Sequence, residues 1–178
     1  MADAVEAAAG THPLLAVWQQ HVFAEFVSKD VEAALATMTD DAHVLLVPVG
    51  TGGRGKEAVR AFYGGSFIPQ VPADLVATPI SQTIGEDCIV EEAVHAFTHD
   101  IAMDWMIPGV PPTGRRVEVA VVGIIKFRDG KVAHEHLYWD HASVLAQLGV
   151  LDAGVLPVLA AESAQRVLEY CDLPLPGE

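Results

Sequence analysis

The sequence predicts one α+β domain, with helices first and an antiparallel sheet after them. Helical periodicity dominates the chain before Pro72, and strand-like segments follow from Leu75 onward. The pair Asp129-Gly130 joins two of these segments, and hairpin turns favour such a pair because both positions need a positive φ. Strands alternating with helices would instead indicate a parallel sheet. With 178 residues, of which 51% are hydrophobic, the chain suits a single domain with a sizeable core.

Two amphipathic helices are predicted at the start of the domain. Thr11 followed by Pro13 marks the start of the first, whose apolar residues recur at every fourth position and share one face. Asp30 is suited to cap a second, shorter helix, which we expect to end at Asp40-Asp41. The apolar face of the first helix comprises Leu14, Trp18, Val22 and Phe26. That of the second comprises Val31, Ala34, Leu35 and Met38.

A short strand and a third helical segment come next. The β-branched run His43–Val49 predicts the strand, and the glycine-rich segment Gly50–Gly55 predicts a loop. The helical segment contains Ala58, Val59 and Phe62, and we expect Pro69 and Pro72 to close it.

Four strands then form the predicted antiparallel meander, and two helices follow it. Asp140 is expected to cap the first of these helices and Gly149 to end it. The second lies within Pro157–Cys171. The four strands are expected at Leu75–Ile84, Ile89–Asp100, Val117–Phe127 and Val132–Trp139.

Charge and composition exclude several classes of partner. Lys and Arg number 10 against 24 Asp and Glu, a net charge of −14 that repels nucleic-acid phosphates and anionic membrane surfaces. Two cysteines are too few for a disulfide framework, and residues 1–10 lack the features of a secretory signal, so we expect a cytoplasmic protein.

We predict a mobile tail at 1–10, a domain over 11–152, and a C-terminal helix and tail over 153–178 packed on that domain.

Three motifs, in this order, carry a family resemblance. They are the helix entry Gly53–Ala58, the loop Gly109–Arg115, and the hairpin from Asp129 that runs on through Trp139-Asp140. Over Leu14–Gly149 the chain resembles the SnoaL-like branch of the nuclear transport factor 2-like superfamily. The resemblance implies a cone-shaped curved sheet wrapped by the N-terminal helices around one apolar pocket, and a homodimer formed through the sheet face. Members include polyketide cyclases, hydrolases and isomerases, so the shared fold does not identify the chemistry.

Glu135 is the predicted catalytic residue. Cyclases of this family carry an acid/base aspartate on the last strand, and the present chain has Leu137 at that position, with Glu135 two residues before it. Side chains alternate along a strand, so Glu135 and Leu137 share a face with Trp139, which the resemblance assigns to the interior. We expect the opposite face to meet a second subunit. It carries His134, His136 and Tyr138. Two alternatives stay open: Glu135 is paired with an arginine or a histidine, or a register shifted by one residue turns the two histidines inward instead.

A carboxylate held among apolar groups suits general acid–base catalysis. We expect His99, which shares a strand face with His95, to assist Glu135 as a second acid/base group. Asp140 is a further catalytic candidate, with helix capping as the alternative role. The segment 104–106 suits a lid over the mouth of the cone. The side chains expected to bind the substrate are Trp18, Phe62, Trp105, Leu137 and Trp139.

A metal site is the alternative use of the histidines. His134 and His136 could converge with His95 and His99 on a neighbouring strand. The two pairs are expected on opposite faces, and no carboxylate-rich spacing accompanies them, so we predict no metal and no cofactor. No Gly-x-Ser-x-Gly motif occurs, and neither cysteine adjoins a histidine, which disfavours covalent catalysis.

The sequence therefore predicts a cofactor-independent enzyme that applies acid/base chemistry to a small apolar carbonyl, lactone or polyketide-like substrate. Cyclase, isomerase, lyase and hydrolase activities all fit this description. The alternative is a non-catalytic protein whose pocket binds an apolar small molecule. The two differ in whether the ligand is released chemically unchanged.

Overall fold

The computed structural model describes residues 12–175 and has an α+β architecture. The helices are α1 (Pro13–Phe26), α2 (Val31–Ala36), α3 (Lys56–Phe62), α4 (His141–Gln147) and α5 (Ala161–Tyr170). The strands are β1 (Met38–Leu46), β2 (Thr51–Arg54), β3 (Val76–Ile84), β4 (Cys88–Thr98), β5 (Arg116–Arg128) and β6 (Lys131–Trp139). The predicted tail at 1–10 lies outside the described residues. No helix within 12–175 is long and apolar enough to cross a membrane.

The strands form one curved, open sheet in the order β2-β1-β6-β5-β4-β3. Neighbouring strands are antiparallel except β1 and β6, which run parallel. Residues of α1, α2 and α3 pack with the inner face of the sheet in one hydrophobic core. The α+β fold predicted from the sequence is therefore confirmed.

Helix α1 forms where predicted, but its buried face is different. Trp18, His21 and Glu25 are buried, whereas Val22 and Phe26 are only half-buried. The helix is therefore rotated so that two polar residues, spaced by one helical turn, face the core.

Helix α2 is capped by Asp30 as predicted, but it ends before Met38 rather than at Asp40. The backbone N–H of Val132 on β6 donates a hydrogen bond to the carbonyl oxygen of Thr37 at 3.0 Å. This bond draws the chain into the sheet immediately after α2. Residues 38–41 therefore begin β1 instead of extending the helix.

The predicted loop Gly50–Gly55 contains β2. Gly52 has a φ of +130°, and a Cβ atom there would lie 2.0 Å from the carbonyl oxygen of Val44 on β1. Only glycine permits so close an approach of two strands at this backbone angle. Helix α3 then continues as a π-helical turn over Tyr63–Phe67 and a 3-10 turn over Ile68–Gln70, so the helical segment ends between Pro69 and Pro72, as predicted.

The predicted meander is confirmed as β3 to β6. Asp129 and Gly130 have φ values of 54° and 72°, as the hairpin between β5 and β6 requires. Asp140 caps α4, and α5 forms within the segment predicted for the last helix. Ala164 and Leu168 of α5 pack on the outer face of the sheet against Val94 of β4.

The interior of the cone is filled by the protein's own side chains. The segment 99–115 links β4 to β5 without regular secondary structure and turns apolar residues into the cone. Each of these is at most 6% exposed, and they are Met103, Trp105, Met106 and Ile107. In this conformation the space expected for an apolar pocket is thus occupied.

Candidate acid–base site

Strand β6 directs Glu135 into the cone. The register of β5 against β6 shifts between Lys126 and Phe127, where β6 carries Ala133 as an extra residue. This bulge brings both Val132 and Glu135 to the inner face. Glu135 is 4% exposed, so its predicted inward orientation is confirmed, whereas its catalytic role stays a prediction.

Glu135 and three other buried polar side chains form one cluster, whose members come from three parts of the chain. The Tyr63 hydroxyl donates a hydrogen bond to Glu135 Oε1 at 3.0 Å. His21 Nε2 lies 3.1 Å from that same oxygen, 3.1 Å from the Tyr63 hydroxyl, and 3.2 Å from Glu25 Oε1. His21 is 0%, Tyr63 1% and Glu25 3% exposed, so the cluster is closed to solvent.

The hydrogen bond with Thr37 shows that Nδ1 of His21 carries a proton. The Thr37 hydroxyl donates its hydrogen to Ala34 O at 2.7 Å. It therefore accepts a hydrogen bond from His21 Nδ1, which lies 2.6 Å away. With Nδ1 protonated, a second proton on Nε2 makes His21 an imidazolium that faces both carboxylates.

The electrostatics of the cluster favour that imidazolium. Burial by itself lowers the pKa of His21, but the charges of Glu25 and Glu135 outweigh it and raise that pKa well above 6.5. Burial raises the pKa of Glu25, with His21 opposing the rise and Glu135 adding to it. Burial, followed by the two carboxylate charges, also raises the pKa of Tyr63, which keeps the phenol as a hydrogen-bond donor. The cluster thus combines a cation, a carboxyl group whose pKa is raised, and a neutral donor, all beside Glu135.

Aromatic rings surround the cluster and connect it to the mouth of the cone. The indole of Trp18 stacks on His21, with centroids 5.4 Å apart and planes inclined by 12°. On the other side Phe67 lies 5.6 Å from Tyr63, and Trp105 contacts Phe67 edge-on at 5.2 Å. One aromatic ring, that of Phe67, therefore lies between Trp105 and the acid–base cluster.

The segment around Trp105 is held by hydrogen bonds to Gln70 and Thr51. The Gln70 side chain accepts from Asp104 N at 2.7 Å and donates to Asp104 Oδ2 at 3.2 Å. The Trp105 indole N–H donates to Gln70 O at 3.0 Å, and the Thr51 hydroxyl donates to Trp105 O at 2.5 Å. The predicted lid segment thus closes the cone as a plug whose apolar side chains point inward.

The predicted partnership between His99 and Glu135 is not found. Glu135 pairs with Ile125 of β5, whereas the His99 backbone N–H donates to Arg115 O, ten residues away along that strand. At about 3.3 Å per residue this separates them by roughly 30 Å along the strand. The His99 ring is buried and its Nδ1 lies 3.2 Å from Thr113 Oγ1, so the side chain belongs to the far end of the cone.

Asp140 acts as a helix cap in the structure. Its Oδ1 accepts from Ser143 N at 3.1 Å and its Oδ2 accepts from Ser143 Oγ at 2.6 Å. Both carboxylate oxygens are therefore engaged at the start of α4, as the alternative reading of this residue predicted.

The predicted substrate-binding side chains divide into two groups. Trp18, Phe62 and Trp105 are buried in the core around the acid–base cluster. Leu137 and Trp139 are half-buried farther along the inner face of β6, where the Trp139 indole N–H donates to His141 at 3.3 Å. The first group surrounds the cluster, and the second lies toward α4.

The partners of Glu135 were not predicted from the sequence. His21 and Glu25 are four residues apart on α1, and Trp18 precedes His21 by three, so all three share the buried face of the helix. A polar pair at helical spacing beside a tryptophan is the signal that was available. Tyr63 follows α3 directly, and only the π-helical turn that begins there brings its hydroxyl to Glu135.

The predicted outward face of β6 is also observed, and it separates two sets of histidines. His134 and His136 face away from the cone, whereas His95 and His99 point to its inner side, so these four do not form a metal site. Burial lowers the pKa of His95 to about 4, which leaves its imidazole neutral at pH 7. His43 on β1 lies beside the outward pair instead.

Comparison with known proteins gives the family. A SnoaL-like domain model matches residues 19–135. No match was found among the curated proteins. Among solved structures, the chain is similar to IdmH, a proposed polyketide cyclase from Streptomyces antibioticus, at 26% identity and a TM-score of 0.58 over 78% of this chain and 100% of that one.

Two further structures share the fold at lower identity. One is a proposed SnoaL-like polyketide cyclase from Jannaschia sp. CCS1, with 20% identity and a TM-score of 0.62 over 82% of this chain and 100% of that one. The other is an NTF2-like protein of unknown function from Burkholderia pseudomallei K96243, with 17% identity and a TM-score of 0.59 over 78% of this chain and 98% of that one. Because the family model covers residues 19–135 of the 178, the chain belongs to the SnoaL-like domain family.

Proposed function

We propose that this protein is a cofactor-independent enzyme that moves protons on a small apolar carbonyl, lactone or polyketide-like substrate. The observation that carries the proposal is the convergence of Glu135, His21, Glu25 and Tyr63 at one buried point. A purely structural core has no need of two carboxylates and an imidazole at one place, since burying such groups is costly.

In the proposed reaction Glu135 is the base that removes a proton from the carbon beside the carbonyl. The negative charge then moves from the carboxylate to the enolate oxygen of the substrate. His21, as the adjacent cation, stabilises the charge before and after this transfer, so the net charge of the site is unchanged. Return of the proton from Glu135 to another carbon of the substrate completes an isomerisation. In a ring closure the enolate carbon attacks a second carbonyl of the substrate, and Glu135 returns the proton to the alkoxide that forms.

Glu25 and Tyr63 position the reacting pair. Glu25 holds His21 from the following turn of α1, at 3.2 Å from Nε2. The Tyr63 hydroxyl donates to Glu135 Oε1 and so fixes the carboxylate in one orientation. Leu137 occupies the position at which cyclases of the family carry aspartate, and the proposal therefore assigns the base to Glu135 alone.

The apolar character of the substrate follows from the side chains around the cluster. Trp18, Phe62 and Phe67 are each 8% exposed and offer only aromatic surface beside the four polar groups. The similarity to IdmH, a proposed polyketide cyclase, supports a substrate of polyketide-like chemistry. Because Trp105 blocks the mouth of the cone, substrate binding requires the segment 99–115 to move outward.

A proton-exchange assay tests this proposal without knowledge of the natural substrate. The probe is 2-tetralone in D₂O, whose loss of protons beside the carbonyl is followed by NMR. We expect the wild type to accelerate exchange and Glu135→Gln to reduce that acceleration by at least about 100-fold. Glu169→Gln, which changes an exposed carboxylate on α5, is the matched control and should exchange like the wild type.

A binding protein is the second candidate, and one observation favours it. The polar atoms of the acid–base cluster are satisfied by one another, so the cluster would also persist as a structural element of a closed ligand pocket. Saturable binding of 2-tetralone without any exchange would support this reading. Exchange that is equally fast in wild type and Glu135→Gln would contradict the enzymatic role of Glu135.

A further inference from the structure

Three histidines form a cluster on the outer face of the sheet, where the only parallel strand pair within residues 12–175 meets. The register pairs His43 of β1 with His134 of β6, and Leu45 with His136. Because side chains alternate, His134 and His136 lie on the same face, and His43 stands beside both. All three are half-buried, which leaves one side of the cluster open to solvent.

The ring nitrogens of the cluster are close enough to share one ion. His43 Nε2 lies 3.0 Å from His136 Nε2, and one ligand nitrogen from each ring lies within 4.8 Å of the others. His134 and His136 stack with centroids 4.3 Å apart, and His43 approaches both rings at 4.8 and 5.1 Å. Two imidazole nitrogens bound to the same Zn²⁺ lie about 3.3 Å apart, as follows from Zn–N distances of about 2.0 Å in tetrahedral geometry. One pair already has this spacing, and a side-chain rotation brings in the third.

A hydrogen bond between two neutral imidazoles explains only part of this arrangement. The contact between His43 and His136 accounts for one nitrogen of each ring. It gives His134 no partner, although this ring is stacked against His136 and held at the same place. A shared cation engages all three rings at once.

We propose that His43, His134 and His136 bind a divalent transition metal, with Zn²⁺ as the ion of choice. Imidazole is a preferred ligand of Zn²⁺, Cu²⁺ and Ni²⁺, and three such ligands leave a fourth position for water. The site is independent of the proposed enzymatic function, since Glu135 lies between His134 and His136 in sequence but on the opposite face of β6.

The charges around the cluster set a moderate affinity. Lys126 is adjacent to His134, and Arg54 is paired with His43 across β1 and β2, so two cations oppose a bound metal. The net charge of −14 for the whole chain works in the other direction and attracts cations. We therefore expect micromolar rather than picomolar binding of Zn²⁺.

The bound ion would join β1 to β6 and so stabilise the folded protein. β1 contacts the rest of the sheet through β6, while its other neighbour, β2, is a strand of only 4 residues. A ligand that binds only the folded state raises the Tm, and its stabilising free energy grows with the logarithm of the free ligand concentration above the Kd. For a chain of this size, Zn²⁺ at about 100 times its Kd should raise the Tm by at least about 5 °C.

The test uses the full chain, purified without a polyhistidine tag and freed of metal with EDTA. Zn²⁺ binding is measured by calorimetry, and Co²⁺ serves as a coloured probe of coordination geometry. We expect one ion per chain in the wild type and at least a 10-fold weaker Kd in His43→Gln and in His136→Gln. His141→Gln removes a half-buried histidine outside the cluster and should bind like the wild type.

Three results would overturn the proposal. One is the absence of stoichiometric Zn²⁺ binding by the folded wild type at concentrations up to about 1 mM. Another is binding that persists in His43→Gln and His136→Gln. The third is binding that is lost in Glu135→Gln but kept in His43→Gln, which would assign the ion to the inner cluster of His21, Glu25 and Glu135. The first result uses only the wild type, so the test does not depend on the folding of any variant.

Discussion

Replacing His21 by leucine should destabilise the protein more than any other single change in the acid–base cluster. Leucine is close to imidazole in size, so the substitution leaves no large cavity, but it removes the cation that faces two buried carboxylates. His21 Nε2 lies 3.2 Å from Glu25 Oε1 and 3.1 Å from Glu135 Oε1. Removing one partner from a buried ion pair costs about 3–5 kcal/mol, because the other charge stays buried without compensation.

That free energy corresponds to a large change in thermal stability. For a chain of this size, 1 kcal/mol shifts the Tm by about 2–4 °C, so His21→Leu should lower the Tm by roughly 6–20 °C. Guanidinium unfolding at pH 7, followed by circular dichroism, measures the free energy directly. A loss below about 1 kcal/mol would refute the idea that His21 is the charge-balancing group. The control Gln20→Leu, at an exposed position on α1, should lie within about 0.5 kcal/mol of the wild type.

A double variant distinguishes lost charge balance from lost packing. Changing Glu25 to methionine in the His21→Leu background removes one of the two uncompensated carboxylates. The double variant should therefore be more stable than His21→Leu alone, since apolar replacement of buried ionic groups is often neutral or favourable. If the two changes instead add, the residues do not act as one network.

Two further predictions concern pH and access. Burial raises the pKa of Glu25 in the folded protein above its unfolded pKa of about 4.5. Such a group stabilises the fold at a pH below the unfolded pKa, and this contribution is lost as the pH rises through the folded-state pKa. Glu25→Gln should therefore gain stability relative to the wild type as the pH increases from 4.5, and a difference that stays flat or falls would contradict the raised pKa. Gln70→Ala removes both side-chain hydrogen bonds to Asp104, so amide exchange across 99–115 should accelerate several-fold while exchange in β5 is unchanged. Equal exchange in both proteins would mean that Gln70 does not hold the plug.

The four strands β3 to β6 could be predicted from the sequence because their signals are local, whereas β2 was expected to be a loop and the start of β1 a helix. Alternating apolar residues and the Asp129-Gly130 turn define β5 and β6, and their outcome differs from the prediction only at the strand ends. The same alternation placed Glu135 on one face with Leu137 and Trp139, and the family resemblance assigned that face to the interior. The family resemblance added the curvature, which no local pattern in the chain indicates.

The partners of Glu135 could not be predicted, since they depend on contacts between distant segments. The spacing of apolar residues in α1 predicts that Val22 is buried and that His21 is exposed. The structure has the reverse order, with His21 buried and Val22 half-buried. His43 is separated from His134 by most of the chain and meets it only because β1 and β6 are parallel neighbours. The error over His99 has a similar origin. Two side chains on the same face of a sheet can still be far apart along its strands, as His99 and Glu135 are.

The packing of α5 on the outer face of the sheet bears on how copies of the chain can associate. Ala164 and Leu168 cover Val94 and so supply from within the chain the apolar contact that a second subunit would otherwise provide at β4. A homodimer through the sheet face remains our prediction, and the strip along β6 and β1 is a part of that face on which α5 does not pack. That strip contains the three histidines and Tyr138, which is 40% exposed. Association of two copies there would bring six imidazoles to one interface, and dimerisation would then depend on the metal content of the solution.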